Sequence, residues 1–140
     1  MSGADRSIEE SRKIAEKGGL EVVQSDPFHL LLDIDSPEGL AQYERALDRF
    51  DSYFSVKSET RWNSYHGNLH IVIELTEPMP VLQRTVLQSF LGSDSAREFW
   101  TLLRVRANEE EPSLLFKPTT QETRDTARLA AKLKEWSVIK

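Results

Sequence analysis

The chain contains no cysteine, and this absence excludes disulfide bonds, thiolate metal sites and cysteine nucleophiles. It also lacks any apolar run near the roughly 20 residues that a membrane-spanning helix needs. Its first residues, Met1 to Arg6, lack the basic and apolar regions of a secretory signal. We therefore expect a cytoplasmic protein with no membrane partner, because a cysteine-free chain suits a reducing compartment.

The chain also has no excess of basic residues: acidic residues outnumber them, and the 140 residues carry a formal net charge of −5. Such a surface does not attract nucleic acid by bulk electrostatics, so nucleic-acid binding would need a local basic face or bridging metal ions. The length fits one domain with one core. We expect a single domain over residues 1–140, in which 1–19 and 119–140 each add a terminal helix.

Hydrophobic periodicity predicts the element order α-β-β-α-β-β-α-α-β-α. Strands mixed with helices in this way indicate an α+β fold, with a mostly antiparallel sheet and helices packed on one side. Capping boxes at Ser7 and Thr119, and the pair Ser36-Pro37, mark three helix starts. Two helices carry predicted apolar stripes, one of Leu82, Val86 and Phe90 and one of Leu129, Leu133 and Trp136.

Two aspartates lie at the end of the predicted strand that runs from Phe28 to Ile34. Side chains two residues apart on a strand point the same way, so Asp33 and Asp35 share a face. Two carboxylates this close repel each other unless a cation lies between them, and Mg²⁺ or Mn²⁺ favours such oxygen ligands. The alternative is structural: Asp35 would help Ser36 to cap the next helix, and Asp33 would be a solvated strand residue.

A histidine lies on the predicted strand from Leu69 to Leu75, on the face opposite its four aliphatic side chains. The imidazole of His70 could donate a hydrogen bond to a phosphate oxygen, and Gly67 before it permits close approach of a ligand. Alternatively, His70 is an ordinary polar residue on the exposed face of a half-buried sheet.

Basic and aromatic side chains suggest a nucleic-acid surface. Arg124, Arg128 and Lys132 recur at i, i+4 and i+8 on the last helix and could contact a phosphate backbone. Trp62, placed in a predicted turn between two strands, could stack on a base. The alternatives are a solvated helix face for the three cations and a core-capping role for the indole.

The order of these motifs resembles the archaeo-eukaryotic primase superfamily, which includes primase–polymerases and many phage and plasmid replication proteins. The resemblance consists of a hydrophobic-Asp-hydrophobic-Asp strand, Leu31 to Asp35, followed by Asn68-Leu69-His70 on a later strand. It covers Leu20 to Lys117 in outline, and it implies a core like that of the RNA-recognition motif. It also implies a bacterial or phage-infected host cell.

Carried over residue by residue, the resemblance makes Asp33, Asp35 and His70 the catalytic residues. The two aspartates would bind the metal, and His70 would contact the nucleotide phosphates. Its third acid corresponds to Asp94, and its downstream basic residues correspond to Arg104 and Lys117. Alternatively, Asp94 is the N-cap of the helix that follows Gly92-Ser93. Glu74 and Glu111 are alternative third acids.

The resemblance implies a minimal primase–polymerase-like domain that binds a nucleoside triphosphate and Mg²⁺ or Mn²⁺. Its chemistry would be two-metal nucleotidyl transfer in phage or plasmid DNA replication. Single-stranded DNA or a replication protein would be its partner. The other hypothesis is a non-catalytic adaptor or regulator of the same fold that binds protein or single-stranded nucleic acid.

Overall fold

The computed structural model describes residues 3–50, 52–107, 111 and 113–134, with side chains from Glu9 onward. Its element order is the predicted one. The helices are α1 (Gly3–Lys17), α2 (Pro37–Phe50), α3 (Val81–Phe90), α4 (Ser95–Arg106) and α5 (Gln121–Leu133). The strands are β1 (Leu20–Gln24), β2 (His29–Ile34), β3 (Val56–Asn63), β4 (Leu69–Leu75) and β5 (Leu114–Pro118). None of these described helices is long and apolar enough to cross a membrane.

The strands form two antiparallel sheets, one in the order β2-β4-β3 and one that pairs β1 with β5. Alternation along β2 and β4 sends one set of aliphatic side chains into the main core, where α2 and α3 cover them. That core contains Leu30, Leu32, Ile34, Leu69, Ile71, Ile73 and Leu75 from the strands, with Leu40, Tyr43 and Leu91 among their helical neighbours. The predicted α+β class, with antiparallel strands and helices packed to one side, is confirmed.

The main sheet has three strands, one fewer than the four of an RNA-recognition motif, because β5 does not join it. Because β5 pairs with β1, the outer edge of β2 has no neighbouring strand. Side chains take that place: Leu31 N donates to Gln88 Oε1 at 3.0 Å, and Asp33 N donates to Ser93 Oγ at 3.0 Å. The carbonyl of Asp33 accepts from Asp94 N at 2.7 Å. The edge of β2 is therefore satisfied by α3 and the turn that follows it.

A buried carboxylate organises this edge. Glu98, on α4, accepts hydrogen bonds from Gln88 Nε2 at 2.8 Å, Ser93 Oγ at 2.7 Å and Arg97 Nη1 at 2.7 Å. Burial raises the pKa of Glu98 above its ordinary value, although Arg97 and the two other donors oppose the shift. Arg97 also donates to the hydroxyl of Ser113 and, at 3.2 Å, to the carbonyl of Leu114, so the cluster reaches the start of β5.

The apolar residues of the stripes predicted on α3 and α5 lie at the surface and not in the core. The buried residues of α3 are Arg84, Thr85 and Gln88, because this helix satisfies a polar strand edge. Those of α5 are Thr123, Ala127 and Ala131, since small side chains let the helix approach closely. Leu82, Val86, Phe90, Leu129 and Leu133 are instead exposed. Trp136 lies outside the described residues.

Three predicted boundaries also change. Helix α1 begins at Gly3, so Ser7 lies inside it rather than at its cap. Helix α5 is capped by Thr120 paired with Thr123, one residue later than predicted. Strand β3 extends to Asn63, so Trp62 lies in a strand and not in a turn, where its partners on β4 hold it in register.

Two glycines allow the turn between α3 and α4 to cross the start of α2. Gly92 has φ +90°, and a Cβ on it would overlap the carbonyl oxygen of Gly39. A side chain there would meet both an unfavourable left-handed backbone and a rigid neighbour. The crossing therefore requires glycine at position 92.

We expect Gly92→Ala to lower the free energy of unfolding by about 3 kcal/mol, from backbone strain and overlap together. Chemical denaturation followed by circular dichroism would measure the loss. Gly18→Ala is the matched control, because the nearest atom to its added Cβ would be 3.6 Å away. Equal stabilities for the two variants would contradict the proposed crossing.

Candidate functional site

Three side chains form a row across the face of the main sheet that points away from α2 and α3. Asp33 on β2 is opposite His70 on β4, and His70 is opposite Trp62 on β3. Directly opposed residues in antiparallel strands lie on the same face. His70 Nε2 is 3.4 Å from Asp33 Oδ1, and the rings of His70 and Trp62 meet edge to face with centroids 5.6 Å apart.

The carboxylate in this row is held by polar neighbours. Asn68 lies immediately before β4, two residues before His70, and its Nδ2 donates to Asp33 Oδ1 at 3.1 Å. Burial raises the pKa of Asp33, but the imidazole of His70 and the amide of Asn68 outweigh that effect, so the pKa lies below its ordinary value. Asp33 is therefore an ionised, well-oriented carboxylate at neutral pH.

The imidazole of His70 is almost completely buried, with 6% of the residue exposed. One ring nitrogen faces Asp33, whereas Nδ1 is buried and has no hydrogen-bond partner among the described residues. A buried nitrogen without a hydrogen-bond partner costs free energy, so few such groups occur in native structures.

Strand β5 brings a cation to the other end of the row. Trp62 Nε1 donates to the carbonyl of Phe116 at 3.0 Å, which fixes the indole against β5. The next residue, Lys117, places Nζ 5.3 Å from the centre of the Trp62 ring. This is a cation–π contact, and it keeps the ammonium beside the aromatic surface.

Helix α5 completes a pocket around Trp62. Gly67, with φ +89°, lets the β3–β4 turn touch the backbone of Ala130, since an added Cβ would lie 2.6 Å from that carbonyl carbon. Arg124 and Arg128 of α5 line the same pocket as Lys117 and Pro118 of β5. The pocket has a volume of about 190 Å³ and is lined by Trp62, Asn63, Lys117, Pro118, Arg124, Ala127 and Arg128.

Three cations line the pocket, together with an amide donor that has no partner among the described residues. Arg128 lies 3.4 Å from Asp125, whereas neither Lys117 nor Arg124 has an ion-pair partner among the described residues. Asn63 Nδ2 is buried and has no hydrogen-bond partner among the described residues. Three cations, one aromatic ring and one free amide donor are suited to an anionic ligand that carries a flat ring.

The predicted metal ligands occupy separate local environments. Asp35 is exposed between β2 and α2, where Ser36 rather than Asp35 accepts from the helix, at 3.1 Å from Gly39 N. Asp94 caps α4, and its carboxylate accepts from Ala96 N at 3.2 Å. Within the described residues, no three His, Cys, Asp or Glu side chains are grouped so that they could hold a metal ion.

The two alternative third acids have structural partners. Arg84, which is buried, binds Glu111 through two hydrogen bonds of 2.8 Å. Glu74 accepts from Ser58 at 3.0 Å and lies 3.7 Å from Lys57, at the end of β4 remote from His70.

Two predicted basic residues lie outside the pocket. Arg104 is in the last turn of α4, and Lys132 is exposed in the last turn of α5. Neither lines the pocket around Trp62. The structure thus places Asp33, His70 and Trp62 in one row, with Lys117, Arg124 and Arg128 around Trp62. The side chains of Asp35, Asp94, Arg104 and Lys132 belong neither to the row nor to the pocket lining.

Sequence reasoning did not select Asn63, Pro118 and Ala127, which also line the pocket. Asn63 follows Trp62 in β3, but strand alternation directs neighbouring side chains to opposite faces, so no sequence signal placed both in one pocket. Pro118 and Ala127 carry no chemical signal in the sequence. Their role depends only on the approach of α5 to β5.

No protein-family model matches the chain, and searches of curated proteins and of solved structures find no significant match. The resemblance to the primase superfamily therefore rests on the sequence motifs and stays a prediction.

The polar contacts of Asp33 predict a specific acid sensitivity. Its folded-state pKa is below the unfolded value of 3.8, so its contribution to stability is present above that pH and is lost as the pH falls through the lower folded value. We expect Asp33→Asn to reduce the dependence of the melting temperature on pH below about 4. Melting curves of both proteins between pH 2.5 and 6 would measure this, and parallel curves would contradict it.

Proposed function

We propose that this protein binds a nucleotide, free or within single-stranded nucleic acid, in the pocket around Trp62. One observation supports the proposal most directly. In a chain of net charge −5, Lys117, Arg124 and Arg128 surround one indole, and two of these cations have no carboxylate partner among the described residues.

Each part of the pocket has a distinct role in this proposal. The two guanidinium groups and the ammonium would bind phosphate oxygens, arginine being able to make paired hydrogen bonds. The indole ring would stack on the base, an interaction that tolerates any base because each presents a flat surface. The free Nδ2 of Asn63 would donate to the ligand and so remove an unsatisfied buried group.

Binding of this kind needs no bridging cation, and it fits a non-catalytic adaptor or regulator that holds single-stranded DNA. The same proposal places the protein in a bacterial or phage-infected cell and gives it a replication protein as a further partner. The small pocket volume of about 190 Å³ favours one nucleotide unit at a time.

A second candidate is a minimal primase–polymerase-like nucleotidyltransferase. The observation that favours it is the pairing of Asp33 with His70 on adjacent strands. In addition, the backbone N–H of Asp94 donates a hydrogen bond to the carbonyl of Asp33. Divalent ions held by Asp33, Asp35 and Asp94 would supply charge stabilisation for phosphoryl transfer. The protein itself would orient Asp33 through Asn68 and present His70 to the phosphates.

We expect Trp62→Ala to weaken binding of a labelled deoxythymidine oligonucleotide by about tenfold or more, because it removes base stacking. Arg124→Ala should weaken binding and also reduce its salt dependence by about one counterion. Fluorescence anisotropy over a salt series would measure both effects. Nucleoside triphosphate as a competitor would show whether the free nucleotide uses the same pocket.

Two controls keep this prediction specific. Trp62→Phe retains a ring and should bind much more tightly than Trp62→Ala. Arg45→Ala removes an exposed arginine from α2, on the other side of the main sheet, and should bind like the native protein. Unchanged affinity in Trp62→Ala and Arg124→Ala, with both variants folded, would sink the proposal.

The second candidate has a separate test. If the carboxylates form a metal site, Mn²⁺ with a nucleoside triphosphate should raise the melting temperature of the native protein but not of Asp33→Ala/Asp35→Ala. Asp48→Ala, which removes an exposed carboxylate from α2, should behave like the native protein. An equal shift in the double variant, or no shift at all, would eliminate the metal site and leave metal-independent binding intact.

A further inference from the structure

The pocket around Trp62 is lined by cations but by no carboxylate among the described residues. Arg128 lies 3.4 Å from Asp125, but both side chains are more than half exposed, so water weakens this ion pair. Lys117 and Arg124 have no carboxylate partner in the part of the chain that the structure describes. The pocket therefore holds two positive charges that the described carboxylates leave unmatched, and a third that is only weakly matched.

This amount of charge distinguishes between two kinds of phosphate group. A phosphate inside a strand is a diester, and each contributes one negative charge to the backbone. A terminal phosphate monoester carries about −1.5 to −2 at pH 7 and has three strong acceptor oxygens. A diester would match only one of the two unpaired cations, whereas a monoester would match both and offer an oxygen to each of the three basic side chains.

The size of the pocket also favours the end of a ligand. Its volume of about 190 Å³ is below the roughly 300–1,000 Å³ of pockets that enclose a whole drug-sized ligand. A strand that passed through the pocket would need room for the nucleotides on both sides of the bound one. A terminal phosphate with its attached nucleotide can instead enter from one direction and leave the remainder of the strand outside.

Helix α5, which forms one wall of the pocket, is held at both ends. At its start, the backbone N–H of Thr119 and the hydroxyl of Thr123 donate to the carbonyl of Gly19, each at 2.9 Å. At its end, Lys134 Nζ donates to Asn68 Oδ1. Moving α5 away from β5 to widen the pocket would break contacts at both ends, so the cations are preorganised around a small ligand.

We propose that this pocket binds the terminal phosphate monoester of a nucleotide, either at the end of a strand or on a free mononucleotide. The inference rests on the proposed function and narrows its ligand. Lys117 and Arg124 would bind the phosphate oxygens together with Arg128, and Trp62 would stack on the base that the phosphate carries.

Fluorescence anisotropy with oligothymidylates would test the inference, using one strand with a 5′-phosphate, one with a 3′-phosphate and unphosphorylated strands labelled at the matching ends. Thymidine monophosphate and thymidine would serve as competitors. We expect a phosphate-bearing ligand to bind about tenfold more tightly than its phosphate-free counterpart, because the monoester adds charge-assisted hydrogen bonds. Preference for a phosphorylated strand would identify a strand end as the ligand, and preference for thymidine monophosphate alone would identify the free mononucleotide.

Variants of the pocket would show which side chains recognise the monoester. Lys117→Gln and Arg124→Gln remove a charge but keep a long polar side chain, so each should bring the ratio of the two affinities close to one. Trp62→Ala should weaken both ligands by similar factors and leave the ratio unchanged. Lys132→Ala is the matched control, because it removes an exposed cation of the same helix that does not line the pocket.

The possible failures of this inference and of the proposed function give different results. Equal affinities for phosphorylated and unphosphorylated ligands, with binding that still depends on Trp62 and Arg124, would overturn the inference and leave the proposed function intact. A preference that survives in both Lys117→Gln and Arg124→Gln would overturn it too. If none of the ligands binds to the folded native protein, the proposed function fails together with the inference.

Discussion

The unpaired outer edge of β2 is the constraint on which much of this structure depends. Backbone groups at a buried strand edge must find hydrogen-bond partners, and here side chains provide them. Gln88 and Ser93 bond to the strand and also to Glu98, so one buried carboxylate orients both. This requirement explains why α3 turns a polar face inward and why its apolar residues are left at the surface.

The same cluster determines where β5 runs, and so where the candidate pocket forms. Because side chains occupy the edge of β2, β5 pairs with β1 instead of joining the main sheet. Arg97 connects Glu98 to Ser113 and Leu114, which fixes the start of β5. From that start, alternation along the strand directs Lys117 toward Trp62. A buried acid on α4 is thereby linked structurally to a cation in the pocket.

The parts of the fold that follow from local pattern could be predicted, and those that depend on distant contacts could not. Strand alternation was sufficient to place Asp33 and His70 on one side of their strands, although only the register shows that they are opposite each other. The apolar period of α3 correctly predicted a helix, but a period does not reveal which side meets the core, and here the polar side does. Asp94 had two local interpretations, metal ligand and helix cap, and its side chain makes the capping contact.

The distribution of matched and unmatched charge favours an anion over a cation as the ligand of the candidate pocket. Two buried or half-buried acids of the structure are already bound: Asp33 by His70 and Asn68, and Glu98 by Arg97. The cations Lys117 and Arg124 lack carboxylate partners among the described residues. Screening limits the opposing field of the other acidic residues to about 10 Å at ordinary salt, so close contacts dominate inside the pocket. Under the proposed function, the three nearby cations would bind the phosphate although the chain as a whole is acidic.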